Sequence, residues 1–299
     1  LRLCANSPSV LAISFCLLSI LAILAEETAA LDIIAGGRIA LGISRGSPEP
    51  ADRGWEAFGY TGSTDPRGAD IARNKFDLYL RALRGEGMAP SAGMSFGFPP
   101  APAGENGLLR LEPHSPTAAQ RIWWGAGSRE TAVNAGRMGV NLMSSTLLTE
   151  ATGDAFASLQ AEQLRAYHRA FREEGHGFTP RTSVSRSIFP LVSDQDRRFF
   201  GLRAGESHDQ IGVIDGLRST FGKSYADEPD KLVEQLKQDE AVMMADTLML
   251  TIPSQLGVDC NAHVLESFAR YVAPELGWVP ATEGPATGYT REELSAYGV

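Results

Sequence analysis

The stretch RIWWGAGSRE, residues 121–130, holds the residues best suited to chemistry. An apolar run, Arg121 to Trp124, meets four small residues, Gly125, Ala126, Gly127 and Ser128, just ahead of a helical pattern. The first N–H groups of a helix lack backbone partners, the helix dipole draws an anion to them, and glycine lets that anion come close. A phosphate fits such a turn. Taken by themselves, the same four residues describe an ordinary strand-to-helix turn with Ser128 as N-cap. They are not a dinucleotide fingerprint, because Glu130 stands where the third glycine belongs, and no GK[ST] phosphate loop occurs in the chain.

A second pattern, Gly42-Ile43-Ser44-Arg45-Gly46, matches the GxSxG of a hydrolase nucleophile elbow, with Asp246 and His263 downstream in the order a triad needs. Such an elbow must run straight into a helix, and Pro48 and Pro50 oppose one here. The serine-hydrolase reading at Ser44 is the weaker alternative. The five histidines, His114, His168, His176, His208 and His263, show no metal-ligand spacing, so no metal is expected. Arg186, within SVSRS, lies near a strand end and could reach substrate or phosphate, whereas Trp123 and Trp124 read as packing residues.

Composition narrows the partners. A net charge of -9 without any Lys/Arg block argues against a nucleic-acid surface. Cys4, Cys16 and Cys260 are odd in number and far apart, which suggests neither a disulfide framework nor a zinc site and points to a reducing, cytoplasmic compartment. At 299 residues the chain has room for one α/β barrel or two smaller domains.

The elements that must position these residues alternate. Ala25 to Ala35 reads as a helix stopped by Gly36 and Gly37, Arg38 to Ser44 as a buried strand, and Asp70 to Leu83 as an amphipathic helix. Met88 to Pro116 reads as an insertion, with strand pieces at Met94 to Phe98 and Leu108 to Leu111. The 121–146 unit follows as strand, turn, helix, and a short strand at Val140 to Met143. Then come a helix at Asp154 to Glu174, a strand at Arg181 to Leu191, and a polar excursion, Ser193 to Asp227, of the kind that forms lids. A helix at Pro229 to Ala241, a strand at Asp246 to Pro253 and a helix at Asn261 to Val272 close the pattern. Five strand–helix units imply a parallel sheet wrapped by helices, either doubly wound or a (β/α)8 barrel.

DIIAGGRIALGISRG (residues 32–46), RIWWGAGSRETAVNAGRMGVNLMSST (121–146) and DTLMLTIPSQLGVDCNAHVLESFARYVAPELGW (246–278), in this order, resemble the bacterial luciferase-like flavin-dependent monooxygenases. The resemblance runs from about Ala25 to Trp278. It implies an α/β fold, the (β/α)8 TIM barrel of luciferase-like type, lacking its first strands, with residues 25–299 as the barrel domain and 1–24 as an atypical apolar segment. The implied reaction is oxygenation of a small organic substrate by O2 and reduced FMN, with a flavin reductase as possible supplier and a homodimer as the assembly; the deazaflavin F420, used for hydride transfer, is the alternative cofactor. Carried over by position, Arg45 lies near the cofactor phosphate, Gly125, Ala126, Gly127 and Ser128 form the phosphate turn, and Met143, Ser144 and Ser145 touch the isoalloxazine ring. Glu130, unhelpful to a dianion, should face away. No catalytic base is assigned, because the strand that often carries a histidine in the family has no match.

The apolar run Ser9 to Ala25 has the outline of a secretory signal and sits at the lower limit for a membrane span. Export or anchoring is therefore the alternative location, and a fragment or mis-joined coding region is the preferred reading. An inactive fragment is the corresponding non-enzyme alternative.

Overall fold

The computed structural model describes residues 2–3, 10–11, 21–43, 53–91 (apart from 59, 62, 64, 66 and 67), 103–203, 207–214 and 216–279. It divides into two compact units, residues 9–123 and residues 1–8 with 124–299. Within the first, β2 (Val10–Leu11) pairs in parallel with β3 (Ala40–Ile43). Helix α1 (Leu21–Ile34) buries Leu24, Ala25, Thr28, Ala29 and Asp32, a spacing that places them on one helical face. It packs against α2 (Ala69–Leu83), where the Thr28 and Tyr79 hydroxyls bond at 2.8 Å. Buried Asp32 accepts hydrogen bonds from Ser115 at 2.5 Å and Thr117 at 3.3 Å, which ties α1 to the segment before the next strand.

The apolar run at 9–25 ends inside α1, and among the described residues no helix is long and apolar enough to cross a membrane. Leu108 to Leu111 does not form a strand. Leu109 makes only isolated bridges to Ala89 and Ala103, and Met94 to Phe98 lies outside the described residues.

The second unit contains the parallel order β1 (Arg2–Leu3), β12 (Thr247–Leu250), β7 (Thr182–Arg186), β5 (Asn141–Ser144), β4 (Ile122–Ala126). The division between units falls within β4. After β4 comes α3 (Arg129–Met138), and after β5 comes α4 (Phe156–Glu173); these two helices pack closely together. Gly136 makes that approach possible, since a Cβ there would stand 2.7 Å from the Tyr167 carbonyl oxygen.

Three expectations need correction. The strand at Arg181 to Leu191 divides at Ser187 into β7 and β8 (Ile188–Pro190), because β8 pairs with a different partner, β11 (Tyr225–Asp227). The polar excursion Ser193 to Asp227 includes regular secondary structure among its described residues. It holds α5 (Asp194–Phe200), opened by a Ser193–Asp196 capping box, and the antiparallel hairpin β9 (Gln210–Ile214) and β10 (Leu217–Phe221), on which β6 (Leu147–Leu148) forms a third strand. Its polarity reflects capping and half-exposed strands. The helix expected at Pro229 to Ala241 is two, α6 (Pro229–Gln238) and α7 (Glu240–Met244), because Asp239 leaves helical geometry (ψ 103) to cap the second by accepting from the Val242 N–H. The closing helix α8 (Gly257–Tyr271) buries Val264 and Phe268; Val264 joins a cluster with Phe189, Leu191, Phe200 and Ala226.

Candidate functional site

Parallel strands end on one edge of a sheet, so the loops after β4, β5, β7 and β12 share an edge. The loop after β4 is shorter than expected. Gly125 and Ala126 belong to the strand, with the Ser145 N–H donating to the Ala126 carbonyl at 3.4 Å, and only Gly127 and Ser128 make the turn. Ser128 is the N-cap of α3, its hydroxyl oxygen accepting from the Thr131 N–H at 3.2 Å, a contact worth about 1 kcal/mol. A Cβ at Gly127 would meet nothing within 4 Å, so the turn faces open space. Glu130 is exposed.

An anion already stands at this turn. The Arg129 N–H donates to Glu150 Oε1 at 2.8 Å, and the Arg129 guanidinium lies 3.5 Å from Glu150 Oε2. Behind the turn the backbone is tied down: the Gly127 carbonyl accepts from the Thr149 N–H at 2.7 Å and hydroxyl at 3.1 Å, and the Ser128 carbonyl accepts from Gln163 Nε2 at 3.0 Å.

Strand register separates the ring-contact candidates. Met143 lies opposite Ser183, and Ser183 opposite Thr247; Ser144 lies opposite Val184, and Val184 opposite Leu248. Side chains alternate along a strand, so Met143, Ser183 and Thr247 share one face and Ser144, Val184 and Leu248 the other. Ser144 faces α4. Its hydroxyl donates to Gln163 Oε1 and accepts from Gln160 Nε2 at 2.7 Å. Ser145 offers its carbonyl to Gln160 Nε2 at 2.8 Å. Met143 and Ser144 are thus neighbours in sequence on opposite faces, while the turn residues and Ser145 meet at the strand ends.

Arg186 is fully buried on the same face as Ser144. It donates through Nε and Nη2 to the two oxygens of Asp239 at 2.8 and 3.0 Å, and through Nη1 to Gln160 Oε1 at 2.6 Å. Tyr225 donates its hydroxyl to Asp239 at 2.7 Å. Burial pushes the Asp239 carboxyl up, but the hydrogen bonds and charge of Arg186 outweigh it and hold the group below the ordinary carboxylate value. Burial first, and the Asp239 charge second, push the Tyr225 phenol up. A cavity of about 310 Å³ lies beside this cluster, lined among others by Phe156, Lys223 and Asp209, with Asp209 accepting from the Phe156 N–H at 2.8 Å to cap α4.

The relay that a hydrolase would need is not formed by the downstream pair. Asp246 accepts from the Thr182 N–H and hydroxyl, and His263, on α8, bonds Asp196 at 2.9 Å. Ser44 and Arg45 lie outside the described residues. Among the described residues no group of three His, Cys, Asp or Glu side chains is placed to hold a metal ion. Sequence reasoning passed over Gln160, Gln163, Glu150 and Asp239. A signal was present for the glutamines, which sit in the stripe of Phe156, Leu159, Leu164 and Tyr167 that α4 buries, where an apolar side chain would be expected.

Comparison with known proteins adds the family. Residues 11–198 match the profile of the luciferase-like monooxygenases. Solved structures of the same fold include the FMN complex of the oxygenating constituent of 3,6-diketocamphane monooxygenase from the CAM plasmid of Pseudomonas putida (18% identity, 88% of this chain and 78% of that one, TM-score 0.56). EDTA monooxygenase from Chelativorans sp. BNC1 (16% identity, 96% and 77%, TM-score 0.53) and the coenzyme F420-dependent tetrahydromethanopterin reductase from Methanopyrus kandleri (13% identity, 86% and 80%, TM-score 0.51) are further examples. Comparison with curated proteins gives no match. The fold is the luciferase-like α/β barrel type, and by the extent of the profile match the chain belongs to the luciferase-like monooxygenase family.

Proposed function

We propose that the protein is a flavin-dependent monooxygenase that binds FMN through the turn Gly127-Ser128-Arg129 and oxygenates a small organic substrate with O2. The observation that carries this reading is the turn itself. In a member of this family, a helix N-terminus at the C-terminal edge of the sheet faces open space at Gly127 and has a carboxylate on its Arg129 N–H. A phosphate offers the same acceptor oxygens with more charge, so the residues present fit the group.

In this reading the Arg129 N–H and guanidinium take the phosphate, and the tied-back carbonyls of Gly127 and Ser128 keep the turn from rotating away. Met143 and Ser145, at the end of the neighbouring strand, are the ring contacts of this reading. Reduced flavin supplies the activation of O2; the chain supplies binding, orientation and exclusion of water. In this proposal a separate flavin reductase supplies the reduced FMN. A cytoplasmic homodimer belongs to the same proposal.

The test is a fluorescence titration with FMN, with F420 and with riboflavin, on the wild type and on Gly127→Asp. A side chain at position 127 enters open space and the backbone there is not left-handed, so the variant should fold while its carboxylate repels the phosphate. Saturable FMN binding lost in the variant is the expected result. Binding of F420 in place of FMN would move the protein to hydride-transfer chemistry, and FMN affinity equal to that of riboflavin would overturn the turn as phosphate site.

A further inference from the structure

Four buried polar side chains behind the turn form one chain of hydrogen bonds: Arg186, Gln160, Ser144 and Gln163 are 2%, 0%, 0% and 1% exposed. Its direction is fixed by chemistry. Guanidinium donates and never accepts, so Gln160 must turn its carbonyl oxygen to Arg186 Nη1 (2.6 Å) and its amide to Ser144 Oγ (2.7 Å). Ser144, having accepted, donates to Gln163 Oε1, which leaves the Gln163 amide facing the Ser128 carbonyl at 3.0 Å. That carbonyl shares a peptide plane with the Arg129 N–H, the group that holds the Glu150 carboxylate. Asp239 holds Arg186 from the other side through both its oxygens.

We infer that Arg186, Gln160, Ser144 and Gln163 are positioning residues for the cofactor phosphate: a one-way donor relay that grips the Ser128–Arg129 peptide by its oxygen and aims its N–H at the anion. The inference rests on the reading of this turn as the phosphate site. Arg186 therefore acts on the phosphate from behind, through three side chains, without touching it. A donor chain that begins on a cation also polarises each link toward the turn, which strengthens the final N–H as a donor. The sequence pattern that carries the relay is a pair of glutamines three apart in the buried stripe of α4, one gripping the loop after β4 and the other the loop after β5.

The experiment compares FMN with riboflavin, which lacks the phosphate, on the wild type, Gln163→Met and Ser144→Ala. Titration by flavin fluorescence gives both dissociation constants, and thermal melting checks the fold. The expected result is a loss of FMN affinity on the order of 10-fold in Gln163→Met and several-fold in Ser144→Ala, with riboflavin affinity unchanged in both. A fold defect would weaken both ligands alike, so the ratio of the two constants is the readout that a merely structural role does not move. Should Gln163→Met fail to fold, Ser144→Ala, which deletes a single oxygen, carries the test. Retention of the wild-type FMN preference in the folded variants, or equal loss of both flavins, overturns the relay. A wild type with no preference for FMN over riboflavin overturns the phosphate turn instead.

Discussion

Glu150→Gln should make the protein bind FMN more tightly. Glu150 Oε1 accepts from the Arg129 N–H at 2.8 Å, and Oε2 lies 3.5 Å from the Arg129 guanidinium, so a phosphate that takes this N–H must first displace the carboxylate. A hydrogen bond to a charged group contributes about 1.5–3 kcal/mol and a neutral one about 0.5–1.5 kcal/mol. The ion pair with Arg129 adds little, because both side chains reach water. Glutamine keeps the size and an acceptor oxygen while lowering the cost of displacement by about 1–1.5 kcal/mol, which is about 5- to 15-fold in dissociation constant. Titration at two ionic strengths reads it: the gain should appear for FMN, be absent for riboflavin, and shrink at higher salt as the charge repulsion is screened. An unchanged or weaker FMN affinity in Glu150→Gln would refute the reasoning, since the carboxylate would then be supporting the turn without occupying the anion position.

Asp239→Asn should cost about 3–5 kcal/mol, because it leaves the buried Arg186 guanidinium without its counter-charge; urea unfolding measures it. The same carboxyl, with its pKa depressed in the fold, stabilises the protein above the ordinary carboxylate pKa of about 4 and loses that contribution as pH falls through the folded value, so the wild type should lose stability on acidification below about pH 4 more steeply than Asp239→Asn does. Gly136→Val should lose at least about 2 kcal/mol by the same assay, since its Cβ would stand 2.7 Å from the Tyr167 carbonyl oxygen and 3.0 Å from the Phe171 nitrogen; unaltered stability would mean that α3 and α4 can separate freely.

What the sequence made legible follows from which forces are local. Helix stripes and glycine stops are written in neighbouring residues, so α1, α2, α3, α4 and α8 fall close to their expected positions, and Ser128 caps α3 as its type and place suggest. Elements that depend on distant partners were harder to read. Whether Arg181 to Leu191 is one strand or two depends on β11, some 35 residues on, and nothing within the segment marks Ser187 as the point where pairing changes. Asp239 looks like one more polar residue in an amphipathic helix until its side chain is seen to cap α7 and hold Arg186 together. Met143, Ser144 and Ser145 are ring contacts by the family resemblance, yet a strand sends consecutive side chains to opposite faces, and only register tells which face carries the helices. Glu150 escaped notice for the same reason: its role exists only because the loop after β5 brings it back to the turn after β4.

A buried ion pair is weak grounds for stability, since the desolvation of two charges offsets most of their attraction, and an apolar pair of similar volume is often as stable or more so. Arg186 and Asp239 therefore separate stability from positioning. In the double variant Arg186→Met with Asp239→Leu, neither member of the pair is left as an unpaired buried charge, and unfolding should occur at a higher denaturant concentration than in Asp239→Asn, although the Tyr225 hydroxyl and the Val242 N–H lose their acceptor and Gln160 loses a donor, at about 1–3 kcal/mol each. Gln160 in this variant keeps its amide on Ser144 and the Ser145 carbonyl but loses the donor to its oxygen, so the relay no longer begins on a cation and its links are less polarised toward the turn. FMN preference over riboflavin should then fall several-fold in a protein more stable than Asp239→Asn. Stability and preference that rise or fall together across Asp239→Asn and the double variant would mean that the pair serves packing alone.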